Sequence, residues 1–166
     1  MVLKAEGQPE VIEIYGQLSS TSGRIAVQGH LNTATTLPQY SGTLDVANLN
    51  LAALRQQGAW HSDLNLHLRL DGAGTSPQER RGTIQLEIRP SRLREIALHP
   101  SHIDLAVEAQ QVQVQRFDLT TSIGHATVTG TFDLTGSVDA QYVLTANLAS
   151  GKTRRRRRWP ARRSQI

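Results

Sequence analysis

The residues with the means to do chemistry fall in three places. The segment NLASGKT, ending at Thr153, has the Gly-Lys-Thr close of a phosphate-binding loop, whose backbone amides and lysine cradle phosphate oxygens. That loop's first glycine would fall at Ala146, and no apolar helix follows to aim its amides at a phosphate, so no nucleotide site is expected. His99, Pro100, Ser101 and His102, with Asp104 close by, set two imidazoles beside a carboxylate, a donor set that suits zinc. Pro100-Ser101 reads as a turn between two strands, which makes this cluster an exposed turn. The third place is TRRRRRWPARR at 153–163, which offers guanidinium groups and an indole to a nucleic acid.

Charge decides what the third place means. From Lys152 onward there are eight Lys and Arg and no acidic residue; of the chain's 18 Lys and Arg this leaves ten against all 14 Asp and Glu, so residues 1–151 carry a net −4. A folded surface that grips a phosphate backbone needs cations gathered on it, because counterion release drives the binding. The body is mildly acidic, and the high pI belongs to one end. An arm for nucleic acid and a solvated tail touching anionic lipid head groups are two readings of 151–166. The abrupt change of composition after Leu148 favours a third, an Arg-rich product of a frameshift or truncation with no function of its own, and no specific nucleic acid is expected as a partner.

The remaining polar residues point away from catalysis. His30 and His67 sit on polar phases and are expected to be solvated, while Asp45, Glu87, Asp104 and Asp133 alternate outward as sheet surface does. There is no G-x-S-x-G elbow and no cysteine, so neither a strained serine nucleophile nor a thiolate site is available. The chain reads as a non-enzyme without metal or cofactor.

What positions these residues is a succession of strands. In SDLNLHLRLDG, Leu64, Leu66, Leu68 and Leu70 take one phase and Asp63, Asn65, His67, Arg69 and Asp71 the other, the period of a strand with one wet face. GTIQLEIRP repeats it with Ile84, Leu86 and Ile88, and GRIAVQGHL with Ile25, Val27 and Leu31. HIDLAVEA, VQVQRFDL, HATVTGTFDL and VDAQYVLTANL extend the series. Turn signals at Ser22-Gly23, Gly72 to Pro77, Pro90-Ser91, Pro100-Ser101 and Gly136-Ser137 separate about nine or ten strands, with no long amphipathic helix. The fold class is all-β, an antiparallel sheet over 10–150, with 1–9 disordered or a partial strand and 151–166 a disordered basic tail.

A weak repeat runs through it. SGTLDV at 41–46, RGTIQL at 81–86 and TGTFDL at 129–134 share Gly-Thr followed by an apolar, polar, apolar triplet. Glycine inside a strand marks a bulge or bend, and one per repeat would curve a long sheet in one sense; alternatively these glycines merely begin strands after turns. The apolar face must meet another sheet, close on itself, or cover something that is not protein. With 4% aromatic residues and Phe117 and Phe132 as the only phenylalanines, that face is smooth and aliphatic, which suits acyl chains at least as well as a dry core.

GTLDVANLNLAAL, GTIQLEIRPSRLREIAL and RFDLTTSIGHATVTGTFDLTGSVDAQYVLTANL resemble the repetitive β-rich periplasmic region of TamB and AsmA-like proteins of Gram-negative bacteria. The likeness covers residues 10–149 and lies in alternation and glycine placement. It implies an elongated, curved, U-shaped sheet with an apolar groove, conducting phospholipid between inner and outer membranes and serving outer-membrane biogenesis with a barrel partner. Ile25, Val27, Leu64, Leu66, Leu68, Leu70, Ile84, Leu86, Ile88, Ile103, Leu105, Val107, Val128 and Phe132 would then line the groove, with phospholipid acyl chains as their partners. The chain is shorter than the family's usual length, lacks the N-terminal membrane helix and ends in an Arg run. It is therefore expected to be a fragment of a protein held in the periplasm by an inner-membrane anchor outside this sequence. The competing expectation is a β-rich structural or adhesin segment of a cell-surface protein with a dry core.

Overall fold

The computed structural model describes residues 2–8, 10–55, 60–134 and 138–146. The basic tail lies outside the described residues. The chain is all-β and antiparallel: β1 (Val2–Gln8), β2 (Val11–Ser20), β3 (Gly23–Asn32), β4 (Gln39–Leu49), β5 (Ser62–Ala73), β6 (Arg81–Ile88), β7 (Ser91–Leu93), β8 (Ile96–Leu98), β9 (Ser101–Glu108), β10 (Gln111–Thr121), β11 (Gly124–Asp133) and β12 (Val138–Ala146) form one 12-stranded sheet. A short helix α1 (Leu51–Arg55) interrupts the link from β4 to β5. The sequence reading missed it, although Asn50 is a visible signal: its Oδ1 accepts the Ala52 amide at 3.1 Å, as an N-cap does, ahead of good helix formers. Among the described residues no helix is long and apolar enough to cross a membrane.

The prolines require a correction. Pro90-Ser91 and Pro100-Ser101 do not turn the chain; the reversal comes at Arg94-Glu95, where Arg94 takes a left-handed φ of 55°. Ile88 pairs with Ser101 and Ser91 with Leu98, so two long strands, β6 with β7 and β8 with β9, pause together and then resume. Proline has no N–H to give the ladder, which is why each strand breaks there. The following serines repair the neighbouring strands. Ser91 Oγ accepts the Asn65 amide of β5 at 2.8 Å, and Ser101 Oγ accepts the Thr120 amide of β10 at 3.0 Å while donating to the His99 carbonyl at 2.8 Å.

Ser101 is completely buried, and its hydroxyl accepts the Thr120 amide in place of a ladder carbonyl. Ser101→Ala is expected to cost about 1–3 kcal/mol, the penalty for stranding a buried donor, and thermal unfolding should show a larger loss than for the half-buried Ser91→Ala. Equal melting temperatures for the two variants would contradict this role.

Two bulges keep the apolar side chains on one side. The alternation slips by one residue between Val46 and Leu49, and again between Val114 and Phe117. Without compensation every later apolar residue of the strand would cross to the other face. At each slip the register inserts one extra residue: Val46 and Leu49 pair with Leu66 and Leu64, and Val114 and Phe117 pair with Gly130 and Val128. Asn48 takes up the first with a φ of 52°, and its amide is held by Asn65 Oδ1 at 2.8 Å.

The strand order runs from β1 to β12 without the two pairing with each other, so the sheet is open at both ends. Its last described strand presents Val143 and Leu144 at 61% and 70% exposure. An unpaired, apolar edge recruits other strands. The isolated protein is therefore expected to self-associate in light scattering at about tens of micromolar, and a clean monomer at that concentration would show that the edges are protected.

Candidate functional site

The register sorts side chains into two faces. On one, consecutive cross-strand partners form rows that run across the sheet. One is Gly16, Val27, Leu44, Leu68, Leu86, Ile103, Phe117 and Val128. Beside it run Leu18, Ile25, Val46, Leu66, Ile88 and Ser101, with Leu64 opposite Leu49 where the bulge ends. On its other side lie Ile14, Gly29, Gly42, Leu70, Ile84, Leu105, Val114 and Gly130, and then Ile12, Leu31, Tyr40, Gly72, Gly82, Val107, Val112 and Phe132.

Every residue expected to line the groove falls on this one face. The sequence reading left out its members from β2, β4 and β10, although alternation in VIEIYGQL and the two slips mark them. Among the described residues nothing closes over this face. Of its described side chains only Val46, Val114 and Ser101 are buried, while Leu70 and Ile14 are 37% and 38% exposed, as open as His67 at 31% on the opposite side. Aliphatic side chains left half-open to water in this way are found at interaction sites and on surfaces that aggregate.

Of the repeat glycines only Gly130 borders a bulge, as the β11 partner of Val114; Gly42 lies inside β4 away from its bulge, and Gly82 lies near the start of β6. They are all on the apolar face. Gly72 faces Gly82, and the Tyr40 ring lies over Gly72 with its Cε2 2.5 Å from where a Cβ would stand. At Gly82 a Cβ would run into the Asp71 carbonyl and stand 2.9 Å from the Gly72 Cα, so β5 and β6 approach too closely there for any side chain. A depression of about 730 Å³ opens at this end, lined from both phases by residues including Tyr40, Gly72, Gly82, Val107, His30, Ser41, Asp71 and Thr83.

The other face is polar and charge-matched. His30 Nδ1 is 2.6 Å from Glu13 Oε1 and His67 Nδ1 is 2.9 Å from Asp45 Oδ1, so both imidazoles are on the wet face but partnered rather than merely solvated. Asp45, His67, Glu87, His102 and Asp118 are successive partners across five strands, which keeps like charges from facing each other directly. Arg69 lies against Asp71 at 2.8 Å, which raises the guanidinium above its ordinary value. His99 sits in the Pro100 pause and His102 in the polar row, and among the described residues no three His, Cys, Asp or Glu converge to hold a metal ion. The Gly-Lys-Thr segment lies outside the described residues. The two faces thus divide the chemistry: one carries the charged and hydrogen-bonding side chains, many of them paired, and the other is largely aliphatic. Comparison with known proteins finds no family model, no curated protein and no solved structure that matches the chain.

Proposed function

We propose that the chain is a non-catalytic segment of a TamB or AsmA-like protein, whose apolar face carries phospholipid acyl chains between the inner and outer membranes. The observation that supports this is the set of unbroken apolar rows on an open sheet, with almost every member half-exposed. An isolated sheet this apolar on one side needs a non-aqueous neighbour, because each buried methylene contributes roughly 0.8 kcal/mol. Acyl chains fit such a surface without demanding any polar partner from it. Curving of the sheet around the lipid, a periplasmic location, anchorage outside this sequence and work beside an outer-membrane barrel belong to the same proposal.

The test is whether the purified chain carries lipid. Solvent extraction followed by mass spectrometry should return phospholipid in near-stoichiometric amounts, retained through gel filtration. Lipid-free protein with an intact strand signature, unable to take up added phospholipid, would favour the structural or adhesin reading.

A further inference from the structure

We infer that the end of the sheet formed by the β7 to β8 hairpin docks on an anionic phospholipid surface, with Trp60 and Ile123 entering the interface and Arg92 and Arg94 meeting the head groups. This does not rest on the acyl-carrying role of the apolar face; either can fail alone.

The antiparallel order sends successive links to opposite ends, so the topology decides which residues meet. At one end, β7 pairs with β5 through Ser62 and Leu93, and β8 pairs with β10 through Leu98 and Thr121. The hairpin therefore lies between β5 and β10. Trp60 stands two residues before β5 and Ile123 two residues after β10, one on each flank, roughly 15 Å apart at three interstrand spacings. Both flanks are tied to the hairpin by the backbone: the Arg94 amide donates to the His61 carbonyl at 2.8 Å, and the Ser122 amide donates to the Ala97 carbonyl at 2.8 Å. The platform is thus fixed in place rather than a set of loose loops.

Its chemistry is that of a membrane interface. Trp60 and Ile123 are 39% and 56% exposed at the strand ends that flank the hairpin; at the opposite end Leu134, at 54%, has no indole with an arginine over it among the described residues. The Arg94 guanidinium sits over the Trp60 ring, 5.8 Å from its centre, holding the indole beside a cation. An indole with a flanking arginine matches the layer where acyl chains give way to head groups. Arg89, Arg92 and Arg94 against Glu95 occupy the 89–100 segment, with Asp63 of β5 opposite Arg92, and Arg89 also reaches Asp45 and Glu87 at 4.0 and 3.9 Å. The opposite end places Glu10, Glu79, Glu108 and Asp133 against Arg80 and Arg81. β12 also finishes at the first end, so the sequence that follows Ala146, with its eight Lys and Arg, is tethered there. A nucleic acid would use the arginines and the indole but has no use for an exposed isoleucine.

Trp60 and Trp159 are the two tryptophans, so a Trp159→Phe background isolates the indole in question. Vesicles of phosphatidylcholine, alone or with phosphatidylglycerol, and carrying brominated acyl chains, are added to the full-length chain. Trp60 fluorescence should be quenched by the phosphatidylglycerol vesicles and spared by phosphatidylcholine alone. Arg92→Glu with Arg94→Glu should weaken the partitioning at least about tenfold with unchanged circular dichroism. Vesicle binding without quenching would mean that the Arg run alone holds the membrane, and would overturn the inference. So would equal quenching on phosphatidylcholine, or tight duplex DNA binding with no vesicle binding.

Discussion

Alanine at Gly82 is expected to destabilise the protein by about 3 kcal/mol, while alanine at Gly29, on the same apolar face, stabilises it by about 0.5 kcal/mol. The opposite signs follow from what each new methyl meets. At Gly82 it meets backbone, the Asp71 carbonyl and the Gly72 Cα, and relief requires β5 and β6 to part at the very row where both strands have dispensed with side chains. At Gly29 the nearest atom is the Ile14 Cβ at 3.6 Å, an ordinary contact, and the backbone is not left-handed. There the methyl adds apolar contact and removes freedom from the unfolded chain. Denaturant unfolding of the two variants checks both signs. A Gly82→Ala protein as stable as the parent would mean that the close approach of β5 and β6 is not a feature of the native sheet.

Leu68→Arg is expected to abolish lipid retention, by about tenfold or more, yet to lower stability by no more than about 1 kcal/mol. Leu68 lies mid-row between Leu44 and Leu86, where an acyl chain crossing the strands must pass. A guanidinium in that path has to be desolvated against hydrocarbon, at a cost of several kcal/mol. Without lipid the face is half-open, and a long arginine side chain reaches water by lying along its aliphatic neighbours. Under a second protein layer the same arginine would be sealed in and the fold would be lost. Melting curves and lipid content of the one variant therefore separate an open face from a dry core.

The strands and the face they share were legible because period-two alternation is a local property: Leu64 to Leu70 and Ile84 to Ile88 declare their phase without reference to any partner. Other features exist only across strands. Pro90 and Pro100 each look like a turn in isolation; only the pairing of Ile88 with Ser101 and Ser91 with Leu98 shows two strands pausing in step. Ser101 is unremarkable until its hydroxyl is seen to stand in for a missing ladder bond to Thr120. The glycines of the repeat suggested bulges, and Gly130 does face one; both bulges lie where the alternation slips, at Val46 to Leu49 and Val114 to Phe117, because a slipped strand must gain a residue to keep its apolar side chains on one face. Trp60 and Ile123, separated in sequence by six strands, flank one hairpin through the pairing of β7 with β5 and β8 with β10.

The central claim, that lipid lies on the apolar face, is tested most directly at two neighbouring positions of β6 that point to opposite sides. A photo-crosslinking residue is placed at Leu86, between Leu68 and Ile103 in an apolar row, or at Gln85, opposite Arg69 on the polar face, and cells are irradiated before the protein is recovered for mass spectrometry. Phospholipid adducts at Leu86 and none at Gln85 are the predicted result. Adducts at neither position, or equally at both, would contradict it.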